Sequence, residues 1–471
     1  MSSTTTLTTP PARDTSNGQT WTLALASVGS FLVILDLFAV STALPSLRVA
    51  LHASITTLDW IINAYTLTFA VLLMAAAALG DRWGRRTTYL AGLLLFGGAS
   101  AACALAGDGV ELVAARSVQG VGAALIMASA LALINAAYPA GRRGWAMGVF
   151  GAVTGIATTL GPVLGGVVTE LLSWSYIFWI NVPVAVAAAV CVALRIRDGR
   201  SRTGADRRPL DLPGLALGGA AVLALVWGVI RAAAAGWGDG WVITALVLGV
   251  VLLAALLVRL RRARHPLIPL RLFADAGFTS GIVGIFLLTA SVTAVVFFTA
   301  QFLQNAQGNS PLTAGLHLLP LGVVPLVLGM RSGTYADRLG TRPMILLGLV
   351  LHSAGIAVIV AFSSVDLPYP VLGGAMAILA AGFTFAVPAL TKSVVGSVRP
   401  DDIGTASGLF STVRQVGGAF GVAAGSAAFG AAGGYDTADA VATGYRAAMI
   451  VAALAVIIAV VVTIRVRISP S

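Results

Sequence analysis

Lysine occurs once in this chain of 471 residues, at Lys392, and cysteine only at Cys103 and Cys191. Charge as a whole is scarce: Asp, Glu, Lys and Arg make up 10% of the residues, against roughly 25% in soluble domains. Each shortage excludes something. A phosphate-cradling P-loop needs Gly-Lys-[Ser/Thr], whereas Lys392 follows Thr391, so ATP hydrolysis by this chain is set aside. Both cysteines fall inside apolar stretches, and no disulfide framework is expected. No His, Cys and carboxylate cluster has metal-ligand spacing and no nucleophile motif appears. Neither a metal, a cofactor nor an enzymatic activity is expected. Segments of about ten residues with alternating polarity, the mark of a membrane barrel, are missing too.

What is abundant is apolar sequence: 58% of the residues are hydrophobic. A helix needs about 20 apolar residues to cross a bilayer. Fourteen such spans are predicted, near residues 21–43, 58–79, 87–107, 112–136, 146–170, 176–195, 211–233, 241–258, 278–303, 313–331, 343–362, 370–391, 404–431 and 445–464. The expected fold is an all-α polytopic membrane protein. The first twenty residues, rich in Ser, Thr and Pro, read as a disordered tail without a cleavable signal.

The net charge of +11 raises the question of nucleic acid, but its distribution points to lipid instead. With an intracellular N-terminus, 24 of the 29 Lys and Arg residues fall on alternate connections, as the positive-inside rule requires. An even number of spans then leaves both termini in the cytoplasm of a cell-membrane protein. The run Asp81-Arg82-Trp83-Gly84-Arg85-Arg86 between spans 2 and 3 echoes Asp337-Arg338-Leu339-Gly340-Thr341-Arg342 between spans 10 and 11. This repeat predicts two six-helix bundles related by a pseudo-twofold axis, a transporter architecture. Residues 1–20 are then the tail, 21–195 the first bundle and 196–275 basic linkers around two inserted central helices. Residues 276–466 form the second bundle and 467–471 a cytoplasmic tail. One chain supplies both bundles, so a functional monomer is expected.

Within the first of the echoing loops, Gly80 and Gly84 suit a tight reversal. The arginines serve as a topogenic signal, as a latch between the bundles, or as both. Asp36 lies mid-way along span 1, where a charge costs about 2.5–3.5 kcal/mol on insertion scales. It is a candidate proton carrier or the static partner of a buried arginine such as Arg116 or Arg414. Arg116, Gln119 and Gly120 share one face of span 4. Gly151, Gly155, Thr159, Pro162 and Gly166 form a small-residue stripe on span 5. It is expected to pack on span 11 or another second-bundle helix, with Pro162 kinking it. Candidate cavity residues are Asn63, Tyr65, Phe298, Gln301, Gln304, Arg414 and Gln415. His317 and His352 read as packing residues, and Glu170 as interfacial.

These motifs carry a family resemblance. GDRWGRR resembles the loop 2–3 motif of the major facilitator superfamily, and RSVQG (Arg116 to Gly120) its span-4 motif. GIATTLGPVLGG, with Gly155, Gly161, Pro162, Gly165 and Gly166, resembles the span-5 motif of its antiporters. LDLFAVSTALP, WIINAYTL, FWINVPV, PLIPLRLF and TASGLFSTVRQVGGAFG are similar to the fourteen-helix drug–proton antiporter branch, over nearly the whole chain. Phe38 stands where that branch usually has Thr. The resemblance implies proton handling by Asp36 and Arg116 and efflux of amphiphilic drugs, antibiotics or secondary metabolites. The alternative is a gradient-coupled importer or uniporter of a small metabolite. One proton crossing about 150 mV releases ~3.5 kcal/mol, enough for a gradient of some 300-fold, at about 1.4 kcal/mol per decade.

Overall fold

The computed structural model describes residues 15–196, 211–263, 266, 268–399 and 402–465, and within these a few side chains, including those of Asp81, Asp337 and Arg338, fall outside the description. The helices are α1 (Thr15–Ala50), α2 (Ile55–Trp83), α3 (Arg85–Leu105), α4 (Gly109–Ala137), α5 (Ala140–Leu171), α6 (Ser175–Trp179), α7 (Asn181–Arg195), α8 (Leu212–Ala235) and α9 (Gly240–Arg262). After a 3-10 turn (Leu270–Ala274) come α10 (Ala276–Asn305), α11 (Pro311–His317), α12 (Pro320–Leu339), α13 (Thr341–Phe362), α14 (Tyr369–Gly396), α15 (Ile403–Ala432) and α16 (Ala438–Arg465).

Helix starts follow from capping. Ser54, Asp108, Asp239, Asp275 and Ser310 each accept a hydrogen bond from a backbone N–H in the first turn of the helix they precede, satisfying donors that have no intrahelical partner. Proline sets the interruptions. Span 6 is divided into α6 and α7 at Ile180, three residues before Pro183. Span 10 is divided into α11 and α12 just before Pro320. A prolyl nitrogen cannot donate to the preceding turn. Pro162, by contrast, sits inside an unbroken α5. Helix α1 begins at Thr15, so residues 15–20 of the polar stretch read as a tail are helical. Its start is tied down by Tyr138, whose hydroxyl donates to the Gln19 carbonyl.

Thirteen helical spans among the described residues are long and apolar enough to cross a membrane, with α6–α7 and α11–α12 each counted as one. The expected count of fourteen is reached only with α15, which falls short in hydropathy because it carries Arg414, Gln415 and many Gly and Ser residues. That composition suits its position. Helix α15 packs against α2, α8, α10, α14 and α16, so little of it needs to face lipid. Helix α9 is the opposite case, with Val247, Val250, Val251 and Leu257 on its exposed side.

One packing scheme occurs twice. α1 packs on α5, α2 and α3 on α4, and α3 on α7; likewise α10 packs on α15, α12 and α13 on α14, and α13 on α16. Between the first set (α1–α7) and the second (α10–α16), α2 lies against α15 and α5 against α11 and α12. α8 and α9 pair with each other, and α8 leans on α2 and α15. The span-5 stripe therefore meets the span-10 helices, and only in part. A Cβ on Gly166 would lie 2.4 Å from the Pro311 carbonyl oxygen of α11, whereas Gly161 and Gly165 press on α1 at Phe38 and Ala39.

Candidate functional site

The charge pair sits at the centre of the first set. Asp36 on α1 and Arg116 on α4 are both fully buried and joined directly through Arg116 Nη1 and Asp36 Oδ2. Gln119 Nε2 donates to the other carboxylate oxygen at 3.0 Å, and Asn181 Nδ2 of α7 at 2.8 Å. Gln119 Nε2 also donates to Ser100 on α3 at 2.8 Å. The aspartate thus has three side-chain donors from two other helices, the usual requirement for burying a charge.

Arg116 is held independently of the acid. Its Nε donates to the Ile61 carbonyl at 3.1 Å and its Nη1 to Gln119 Oε1 at 2.7 Å. Its guanidinium lies over the Tyr65 ring, 4.2 Å from the centroid, the geometry of a cation–π contact. Tyr65 is fixed in turn by its hydroxyl, which donates to the Val33 carbonyl. The approach of α4 to α2 that makes this possible depends on Gly120. A Cβ there would lie 2.1 Å from Thr68 Oγ1 and 2.4 Å from the Tyr65 carbonyl oxygen. The span-4 motif is therefore an arginine, a glutamine that bridges it to the acid, and a glycine that brings the helices together.

Beside Asp36, Leu37 and Phe38 line a void of about 20 Å³ between the two sets, with Ser41, Ile62, Thr293, Val296, Phe297 and Val422. That is room for about one water molecule. A larger apolar groove of about 440 Å³ runs between α1 and α5, lined by Leu23, Ser27, Phe31, Val149 and Val153 among others.

Successive spans reverse direction, so the connections α2–α3, α4–α5 and α12–α13 lie on one face, which Arg82, Arg142 and Arg342 mark, and α1–α2, α10–α11 and α15–α16 on the opposite face. Described hydrogen bonds link the two sets at three places. Gln304 Nε2 donates to the Thr42 carbonyl, Ser426 Oγ to Asp59 Oδ1, and the Leu312 amide to Glu170 Oε2. All three are near the opposite face, where Arg48 of α1 also covers the Tyr435 ring. The bundle is sealed there.

On the basic face, Gly84 and Gly340 each end one helix and begin the next, with φ of 98° and 89°, whereas Gly80, expected to share the first reversal, lies inside α2. Arg86 donates to the Ala193 carbonyl in the last turn of α7, and Arg342 to the Ile464 carbonyl in the last turn of α16. Arg85 donates to Ala132 of α4, and Arg82 is exposed. The carbonyls that Arg86 and Arg342 reach are helix-end carbonyls of their own set.

The candidate cavity residues are scattered. Tyr65 belongs to the ion-pair node. Asn63 is buried on α2 with its amide unpartnered. Phe298 stacks on Phe429. Gln301 accepts from Asn305, and Gln304 bridges to α1. Arg414 is partly exposed and Gln415 buried on α15. None of them lines the small void. Sequence reasoning passed over Asn181, Ser100 and Asp59. An asparagine two residues before the proline of FWINVPV, inside an apolar span, was the available signal for the first.

A family model described as Major Facilitator Superfamily matches residues 26–422. The chain belongs to the major facilitator superfamily. It is 36% identical over 416 residues to the tetracenomycin C resistance and export protein of Streptomyces glaucescens, covering 86% of this chain and 75% of that one. It is also 36% identical over 412 residues to the cephamycin export protein of Amycolatopsis lactamdurans, covering 86% and 84%. Among solved structures, a D-xylose–proton symporter superposes with a TM-score of 0.68 at 15% identity, covering 95% and 97% of the two chains. A bacterial homolog of the human lysosomal transporter Spinster, inward-facing and unoccupied, gives 0.67 at 16%, covering 95% and 96%. At that identity these two show the fold alone; the family match and the curated relatives make the chain a multi-pass membrane transporter.

Proposed function

We propose that this superfamily member is a proton-coupled antiporter that exports amphiphilic drugs, antibiotics or secondary metabolites across the cell membrane. It crosses the bilayer fourteen times, with the basic face and both termini in the cytoplasm. Residues 21–195 and 276–466 act as two bundles that rock about the substrate, and 196–275 hold the inserted pair. It works as a monomer, without a cofactor and without enzymatic chemistry, on the energy of the proton gradient. The export and resistance proteins that it resembles support the direction of transport.

The observation that carries this reading is the buried Asp36–Arg116 node next to the void between the two sets. Arg116 keeps the Ile61 carbonyl, Gln119 and the Tyr65 ring when Asp36 is neutral. When Asp36 takes up a proton, Arg116 still has neutral acceptors and an aromatic face around its charge, while its Nη2 is without a partner. A loaded acid no longer needs its arginine, and α1, which carries both Asp36 and the void-lining Phe38, is freed to shift. Proton and cargo thereby compete for one arrangement of α1.

Inverted membrane vesicles with an acidic lumen test the proposal. Addition of a transported antibiotic or dye outside is expected to release protons from the lumen; importer-type symport gives the opposite sign. Asp36→Asn retains the donors' partner oxygen, inserts normally and is expected to abolish both proton release and uphill extrusion. Uphill extrusion coupled to pH by a folded Asp36→Asn protein would refute the reading.

A further inference from the structure

The buried acid Asp59 plays no part in the ion-pair node. It lies in the first turns of α2, 1% exposed, where α2 meets α15 at the sealed face. Its Oδ1 accepts one hydrogen bond, 2.7 Å from Ser426 Oγ of α15, and its Oδ2 has no partner. It forms none of the ion pairs among the described residues. One turn further along the same face of α2, both amide atoms of Asn63 are also buried without partners. The seam that closes this face is thus lined by polar groups that water would satisfy and the closed structure does not.

We infer that Asp59 is a second proton-binding site, loaded when α2 and α15 close and emptied into the external medium when they part. An ionised carboxylate with one hydroxyl donor and no cation is strongly disfavoured in a dry interface. The neutral acid loses far less on burial. Closure of the seam therefore binds a proton at Asp59, and opening to water releases it. This proton leaves by the side it entered, so Asp59 sets the balance between the two conformations and does not carry the transport stoichiometry. The inference uses the membrane orientation given under Proposed function, with the sealed face outside, but not the role of Asp36.

The charged and titratable groups around Asp59 agree with it. From α1, the Arg48 guanidinium faces the Tyr435 ring at 4.7 Å. Burial, with the Asp59 carboxylate second and Arg48 opposing, holds the Tyr435 phenol above its ordinary value, so it stays neutral. From α8, Arg231 is already paired with Asp239. On α4, Asp108 and Glu111 bond to backbone amides of their own helix start. Asp436 and Asp439, on the α15–α16 connection and the start of α16, are exposed.

The linkage sign is fixed by that picture. The closed state binds one more proton than the open state, so the closed-to-open ratio rises as pH falls, by up to tenfold per pH unit. Spin labels at Val49, an exposed residue at the end of α1, and at Ala431 near the end of α15 would report the distance across the seam, in full-length protein in lipid nanodiscs. Between pH 8.5 and 5.5 the wild type is expected to move toward the short distance along a one-proton curve. Asp59→Asn is expected to stay closed throughout. Asp36→Asn is expected to retain the shift, which separates this inference from the coupling mechanism. A wild-type pH shift in Asp59→Asn would overturn the inference.

Discussion

The two sets of helices each bury a polar node, and the nodes differ in kind. In the first, Asp36, Arg116, Gln119 and Asn181 join α1, α4 and α7 around a full charge pair. In the second, Ser291 of α10, His352 of α13 and the Leu379 carbonyl of α14 form a chain with no charge. His352 is fully buried. Its Nδ1 lies 2.9 Å from the Leu379 carbonyl oxygen, which can only accept. Nδ1 therefore carries the hydrogen, and Nε2 accepts from the Ser291 hydroxyl at 3.1 Å. Both ring nitrogens are satisfied in the neutral form. One node joins opposite charges and the other only neutral groups, so the charged and the uncharged polar framework lie in different halves of one chain.

The largest effect should come from unbalancing the charged node. Arg116→Ala strands Asp36 and is expected to cost about 3–5 kcal/mol, read as loss of the folded protein in detergent thermal unfolding. His352→Ala, which strands only neutral groups, is expected to cost about 1–3 kcal/mol and to keep a pH-driven transport cycle. Equal losses from the two would erase the distinction. The matched turns should respond alike: Gly84→Ala and Gly340→Ala each place a side chain at positive φ with extended ψ, at about 1–3 kcal/mol in the same unfolding assay. A smaller effect is expected from Arg86→Ala and Arg342→Ala, each removing a helix-end contact worth ~0.3–1 kcal/mol. If those variants abolish transport while remaining stable, their arginines do more than finish α7 and α16.

Much of this was legible beforehand. Long apolar runs specify helices wherever they occur, and the D-R-x-G-x-R echo marked two turns that prove to have matching glycine conformations and matching arginine contacts. The pairing of Asp36 with Arg116, weighed among the possibilities for a buried acid, is the one formed. What resisted reading depends on distance along the chain. Asn181 reaches Asp36 across 145 residues, and Ser426 reaches Asp59 across 367, which no local pattern encodes. Asp59 also stands at the start of its span, where an acid looks interfacial. Its burial comes from α15 lying over it. Small residues announced close packing on α5 but not its division between α1 and α11, since glycine carries no directional information.

The single-residue junctions at Gly84 and Gly340 have a mechanical meaning. Helices α2 and α3, and α12 and α13, are joined with almost no slack, so each pair behaves as a stiff bracket hinged at its corner. Parting α2 from α15 at the far surface must then swing the corner at Gly84 by a comparable amount, some forty ångströms away by the 1.5 Å rise of a helix of this length. News of an opening on one side of the membrane thus reaches the other as displacement, without any diffusing messenger.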